Sequence, residues 1–547
     1  MNNKISHVFF YVSNLIFSVL ILISFLASLL SNNIHVGVFN RYGATTFVTF
    51  FVIVCFFLLW LITKVRDNKM PLMNAINNHL LIFSVVSFLV VILLQLIFIL
   101  FVHPEIGWDV GALKDGLIYP NSPEIKAYFS INYNNIPSLL IFKSISVLCN
   151  STSFIFFDIF NVIFVDISII INIVCIILID KKHFKLGVIL NFLFLLIFPY
   201  IIIPYSDTFV MPFVSITILG IILILKVNNI FFINILFAMM TGVSSAIMYL
   251  IKPSSIILLI AFVLLYISLL ISPIYKKTIN SYLFGRTDKT TYTRKQARSI
   301  LKFGRLKLTL LLVLIIFSMT GTYKYITNNI INNQKIVRVD KNRKIPIIHF
   351  VNIGANPSGG YDATTAQKMA SISNYNDRVA FSKKELKKKL KERGIFGNIK
   401  FYLFKHIKNT SDGSFAWGKE RHFFKYSDGT VKNSNWLQEK ISNYVYINGK
   451  NIGDFRFFAQ LFWIICLLLI TFDYKNNAKI IQFLRISLTG VMLFLIIFEG
   501  GRSRYLIQSM PEILILAPLT GSESIKSLKI IIDTVWLKFI KFLKINV

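Results

Sequence analysis

The sequence is poor in acid and in charge altogether. Of its 547 residues only 25 are Asp or Glu, against 58 Lys or Arg, and 15% are charged; the formal net charge is +33. With 55% hydrophobic residues and a mean hydropathy of +0.66, this excludes a fold built on one soluble core. Cysteine is scarce as well. Cys55, Cys149, Cys175 and Cys466 sit in or beside apolar runs without metal-ligand spacing, which argues against a disulfide framework and a cysteine-bound zinc. No internal repeat is evident. The first apolar run, residues 8–31, is long for a signal peptide and lacks a small-x-small cleavage site, so it is expected to be a retained span. The basic excess does not point to nucleic acid. Its Lys and Arg gather at the ends of apolar runs and in two hydrophilic segments, as in a chain held against anionic lipid.

What the chain has in quantity is apolar runs of about 18 residues or more. They fall near 8–31, 44–63, 79–102, 152–179, 186–203, 208–225, 231–249, 253–273, 308–326, 457–472, 480–498 and 506–520. The expected fold is an all-α polytopic membrane protein of about 12 transmembrane helices. The runs at 186–225 are parted only by Tyr205-Ser206-Asp207-Thr208 and read as a tight helical hairpin. Lys64, Arg66 and Lys69, then Lys181, Lys182 and Lys185, then the basic segment 274–307 fall on one side, which the positive-inside rule makes cytoplasmic. Both termini are then cytoplasmic, and residues 103–150 lie outside.

Four divisions follow: a transmembrane module over 1–326, an extracytoplasmic domain over 327–456, further transmembrane helices over 457–524, and a basic amphipathic tail over 525–547. The 327–456 segment carries the turn signals Pro357-Ser358-Gly359-Gly360, Ser411-Asp412-Gly413 and Ser427-Asp428-Gly429, and a basic helix-like run from Lys383 to Arg393. It is expected to hold mixed α/β structure, too polar to be membrane.

Residues 101–140 are the first long polar stretch after a span. They hold four acids, Glu105, Asp109, Asp115 and Glu124, and end in Tyr133-Asn134-Asn135-Ile136-Pro137. A carboxylate just outside a bilayer suits proton abstraction at a lipid headgroup; the plain alternative is a solvated loop. Asp207, Lys252, His349 with Gly354 to Gly360, and the turn Glu499-Gly500-Gly501-Arg502-Ser503-Arg504-Tyr505 fall on the same side. Arg donates two parallel hydrogen bonds to a phosphate, Lys supplies a point charge, and Gly500-Gly501 would allow close backbone approach. Each also has a structural role open to it. Lys252, Arg502 and Arg504 suit snorkelling anchors, Asp207 a helix cap, and His349 an ordinary loop position. Asp158 and Asp166 lie inside the fourth span, where acids are costly and so functional suspects; Asp166, nearer mid-span, suits hydrogen bonding to neighbouring helices. No cofactor is required by the pattern. Asp109 with Asp207 could hold a divalent cation through oxygen, although no spacing enforces it.

Gly107-Trp108-Asp109, Tyr133-Asn134-Asn135, the Tyr-Ser-Asp-Thr link and Lys252-Pro253 together resemble the GT-C membrane glycosyltransferases, which include protein O-mannosyltransferases and lipid A aminoarabinose transferases. His349, Gly354, Gly359-Gly360-Tyr361, Asp412 to Gly418 and Arg502-Ser503-Arg504-Tyr505 look closer to an uncharacterised subgroup from Gram-positive, lactic-type bacteria. The resemblance covers nearly the whole chain in layout. It implies a GT-C-like fold and an inverting transferase that takes a sugar from an undecaprenyl-phosphate-linked donor. The acceptor would be a wall polysaccharide, teichoic-type polymer or glycolipid at the outer face of the cytoplasmic membrane. It also implies Asp109 as catalytic base, and Lys252, Arg502 and Arg504 with Tyr505 as phosphate ligands. Asn134, Asn135, Asp207 and His349 would support the substrate. One departure is that Val110 follows Asp109 where many relatives carry paired acids. A flippase for lipid-linked saccharides using Asp158 and Asp166, and a polysaccharide polymerase or ligase, remain the alternatives.

Overall fold

The computed structural model describes residues 2–35, 44–45, 48–54, 79–101, 106–226, 231–271, 294–417, 419, 435–474, 476, 478–498 and 500–545. These residues are mostly helical and contain no β-strand. Eight helices are long and apolar enough to cross a membrane: Val8–Ile34, Leu81–Phe101, Phe154–Ile179, Ser206–Lys226, Phe232–Ile251, Leu306–Ile331, Ile452–Thr471 and Lys479–Ile497. The expected run at 44–63 lies mostly outside the described residues. The other three expected runs are shorter or interrupted: a 14-residue helix ending at Ile197, the apolar helix Pro253–Ser268, and a run that begins as the 3-10 turn Ser503–Ser509.

We number the helices in chain order: α1 (Asn2–Leu29), α2 (Leu80–Phe101), α3 (Trp108–Ile118), α4 (Pro123–Ile131), α5 (Ile136–Leu148), α6 (Phe154–Ile179), α7 (Phe184–Ile197), α8 (Ser206–Phe209), α9 (Met211–Lys226), α10 (Phe231–Ile251), α11 (Ile257–Ile271), α12 (Arg294–Tyr325), α13 (Ile347–Gly354), α14 (Ala363–Ser371), α15 (Tyr375–Thr410), α16 (Trp436–Val445), α17 (Ile452–Thr471), α18 (Lys479–Ile497) and α19 (Met510–Ile545). The first turns of α19 form the centre of the bundle, with Leu514 to Ala517 fully buried. They pack against α17, α6 and α7. At the periphery, α2 and α12 leave Leu81 and Phe317 exposed, apolar surface of the kind that faces lipid. Beyond its buried start α19 runs unbroken to Ile545, so the expected tail is a continuation of this helix.

The 186–225 stretch is not a tight hairpin. Between α7 and α9 the chain makes a 3-10 turn, Pro199–Ile202, and the one-turn α8, and α9 packs on α6 and α10. Two prolines explain the break, since Pro199 and Pro204 withhold the donors a helix would need. Asn161, buried in α6, donates to the carbonyls of Ile201 (2.5 Å) and Ile203 (2.9 Å) and so ties the turn to α6.

The described part of 327–456 is helical, which corrects the mixed α/β expectation. Pro357 to Gly360 joins α13 to α14 and Ser411 to Gly413 follows α15, while Ser427 to Gly429 lies outside the described residues; the Lys-, Glu- and Leu-rich run is good helix-forming sequence. Asn374 caps α15 by accepting from the Asn376 N–H at 2.8 Å, and Asp362 caps α14. Gly394, at φ +62°, kinks α15 in its middle.

Candidate functional site

One end of the bundle gathers the short elements between the spans: α3, α4, α8, the 3-10 turn Pro253–Ile256, the 412–417 turn and Ser503–Ser509. Asp109 lies in the first turn of α3, which follows Gly107. Its neighbour Trp108 has φ +55°, a strained conformation for so bulky a residue, and 52% of its surface is exposed. The helix thus starts abruptly, with the carboxylate turned one way and the indole set out beside it.

The Asp109 carboxylate is held by two phenols. Tyr128 of α4 donates to one oxygen and Tyr205, just before α8, donates to the other. Each oxygen keeps a second lone-pair site for a further partner. Burial first, and then the charge of Asp109, hold Tyr128 well above the ordinary tyrosine range, so it stays a donor. Asn135 donates to the Tyr128 oxygen at 2.6 Å, which fixes the direction of that phenol. Asn134 is exposed and donates only to the Asn135 side chain, at 3.2 Å.

Tyr205 joins this carboxylate to a cationic centre. The Arg504 guanidinium stands 4.1 Å from the centroid of its ring, 5.3 Å from that of Tyr505 and 5.7 Å from that of Trp417. Arg504 Nε lies 3.5 Å from Asp207, and Lys252 Nζ lies 2.6 Å from the other oxygen of the same carboxylate. All three side chains are largely buried, at 4%, 13% and 1% exposure for Arg504, Lys252 and Asp207. Two cations against one anion leave this trio with a surplus positive charge. Arg502 is directed elsewhere: its guanidinium lies 5.4 Å from the Tyr361 ring centre, and Tyr361 in turn meets Trp108 edge to face at 6.4 Å.

The 412–417 turn builds the wall behind Tyr205. Asp412 accepts from Asn33 at 2.8 Å and from the Ser414 N–H and hydroxyl at 3.0 and 2.7 Å, and Lys419 lies 3.4 Å away. Burial pushes the Asp412 pKa up, but Lys419 and these donors outweigh it and hold it low. Phe415 and Ala416 take positive φ values of 51° and 65°, and Trp417 stacks on Tyr200.

A cleft of ≈ 330 Å³ opens between α3 and α4, on the Tyr128 side of Asp109. Trp108, Tyr128 and Phe154 give it aromatic walls, while Asp115, Glu124 and Lys114 supply polar edges.

Three residues expected in the site are placed differently. His349 is buried in α13, where its Nδ1 is 3.1 Å from the Ser382 hydroxyl, and burial followed by the charge of Lys389 lowers its pKa to about 4. It is neutral and belongs to the packing of α13 on α15. Gly500 and Gly501 approach the backbone of residues 359–361: Gly501 N–H donates to the Gly359 carbonyl at 2.5 Å, and a Cβ on Gly501 would collide with that oxygen. Glu499 and Glu105 lie outside the described residues. The cation role open to Asp109 with Asp207 does not fit the donor set, because the Asp207 oxygens already face Lys252 and Arg504; among the described residues no three His, Cys, Asp or Glu side chains gather as metal ligands. Inside the bundle, Asp166 accepts from Gln95 at 3.0 Å and Asp158 is buried in α6.

The sequence reading did not name Tyr128 or Tyr205 as site residues. Tyr205 opens the Tyr-Ser-Asp-Thr motif, which was the available signal. A family profile matches residues 6–525, nearly the whole chain, under the description conserved hypothetical integral membrane protein. The chain belongs to that family. It is therefore an integral membrane protein, and the family description names no activity. No curated protein and no solved structure matches it.

Proposed function

We propose that this integral membrane protein transfers a sugar from a polyprenyl-phosphate-linked donor to a hydroxyl of a glycan or glycolipid. The observation that carries the reading is the joining, through Tyr205, of a carboxylate held by neutral donors to a buried cationic trio. In the reaction the acceptor hydroxyl oxygen forms a bond to the anomeric carbon as its proton passes to Asp109. The bond from that carbon to the phosphate oxygen breaks, and the lipid phosphate leaves with the electron pair, so configuration inverts. The surplus charge of Lys252 and Arg504 stabilises the leaving phosphate. The cleft beside Trp108 receives the acceptor, its ring faces against the aromatic walls.

The reading includes a membrane topology. The eight apolar helices would be joined by crossings at 44–63, 184–202, 253–271 and the start of α19, giving twelve. The site would then be extracytoplasmic and both termini cytoplasmic, because the basic segments at 64–69, 181–185 and 274–307 are retained inside. The resemblance to GT-C enzymes in short motifs supports the same reading.

Asp109→Asn tests it, since the amide keeps the shape and cannot take the proton. At matched membrane levels the variant is expected to lower transfer by 10²-fold or more. One sugar substituent should disappear from surface glycans and its polyprenyl-phosphate donor accumulate. Unchanged glycans would remove Asp109 from catalysis.

A further inference from the structure

The second half of α15, from the Gly394 kink to Thr410, has two unlike faces. One is buried: Phe401, Lys405, His406, Asn409 and Thr410 pack inward. His406 Nε2 lies 3.0 Å from the Leu20 carbonyl and 3.1 Å from the Ser24 hydroxyl of α1, and Asn409 donates to the Leu495 carbonyl of α18 at 3.1 Å. The other face is exposed and mainly apolar, with Lys400 as an exposed cation whose long stem can lie along it and carry the charge outward. Ile395 is 79% accessible, Phe396 87% and Ile399 54%, and Leu403, Phe404 and Ile407 continue the row. Phe396, Ile399, Leu403 and Ile407 recur at three- and four-residue steps, so they form one stripe.

Depth follows from the contacts. Ser24 precedes the end of α1 at Leu29 by five residues, about 7.5 Å of helix, and Leu20 is a further turn inward. A helix bonded there alongside a membrane-crossing segment is level with hydrocarbon. The first half of α15 behaves oppositely: Lys383, Lys384, Lys387, Lys388 and Lys391 are all exposed. The kink at Gly394 separates the two, and its positive φ suits glycine.

We infer that residues 395–407 form a lipid-embedded docking surface, whose occupant is the acyl chains of one leaflet of the bilayer. The exposed lysines upstream meet anionic headgroups. Continuity with the lipid-crossing α1 and α18 and this charge pattern favour lipid over a protein partner. The part of the chain that reads as a polar domain thus returns into the membrane. The same helix carries Asn409, whose side chain accepts from the Arg502 backbone N–H at 3.0 Å, so lipid contact also sets the height of the Arg502 turn.

The test places a nitroxide at residue 396, 399 or 388 through single cysteines, in a chain with its four native cysteines replaced, reconstituted in phosphatidylethanolamine–phosphatidylglycerol vesicles. Collision with oxygen and with a water-soluble nickel chelate is then measured. At 396 and 399 oxygen access is expected to be high and nickel access at least fivefold below that at 388. Nickel access equal to that at 388 would put the stripe in water and overturn the inference. Low access to both reagents would mean that a protein, such as a second copy, covers it, which also overturns it. If the cysteine-replaced chain does not fold, p-benzoylphenylalanine replaces Phe396 in the otherwise natural chain. Irradiation in the same vesicles should give lipid adducts, and protein–protein adducts or none would sink the idea. Neither readout depends on glycosyl transfer.

Discussion

Two carboxylates at the same end of the bundle are held in opposite ways. Asp109, on the helix after the second described span, takes its hydrogen bonds from two neutral phenols. Asp207, in the one-turn helix before α9, faces a lysine and an arginine. Hydrogen bonds from neutral groups orient a carboxylate without cancelling its charge, so Asp109 is left able to accept a proton. The second is neutralised by cations it also positions, and it acts as an organiser of Lys252 and Arg504. A single aromatic ring, Tyr205, touches both arrangements. Residue type alone does not separate the proposed base from a counter-ion; the partners do.

The comparison can be broken most strongly at Asp207. Asp207→Ala leaves two buried cations without their anion, a loss of about 3–5 kcal/mol. Thermal unfolding in detergent should show it, while Asp109→Asn, which strands no buried charge, should cost less than Asp207→Ala. Equal losses would erase the distinction. A smaller effect is expected at the phenols. Tyr128→Phe and Tyr205→Phe each remove one charge-assisted hydrogen bond of about 1.5–3 kcal/mol from Asp109, so transfer should fall about tenfold or more. Tyr205→Phe keeps the ring under Arg504 but also removes the phenol's hydrogen bond with that guanidinium, so it should weaken donor binding where Tyr128→Phe does not, which separate measurements of rate and donor affinity would check. The smallest effect tests a residue outside both arrangements. His349 is neutral in the fold with a pKa of about 4, while in the unfolded chain it takes up a proton near its ordinary 6.5. Stability therefore falls as pH drops below that value, by about 1 kcal/mol at pH 6. Unfolding followed at pH 7.5 and 6.0 should show this loss in the parent and less of it in His349→Gln.

Much of the helical layout was legible because a bilayer imposes a length on apolar runs. The broken helix at 199–205 was harder to read, since hydropathy is blind to Asn161 holding two carbonyls of the turn. Mixed α/β structure was expected over 327–456, although the described residues of that segment are helical. In the site, Asp109, Asp207, Lys252 and Arg504 stood out by charge in an apolar chain. Tyr128 and Tyr205 did not, because tyrosine is common near membrane surfaces and their bonds to Asp109 cross 19 and 96 residues of sequence. The lipid-facing stripe of α15 was hidden for the opposite reason: its lysine-rich first half dominated the reading of the whole segment.

The close approach of Gly501 to Gly359 has a consequence for synthesis. Two stretches of backbone that touch without side chains between them can do so only when both exist, and one of them belongs to the last fifty residues of the chain. Asp109 leaves the ribosome 395 residues ahead of Arg504, roughly 20–80 s at ordinary elongation rates. Asp207 and Lys252 are made during that interval, and from Lys252 onward the guanidinium they face is still 252 residues away. The Asp207 centre is thus left with one of its two cations until residue 504 has been made.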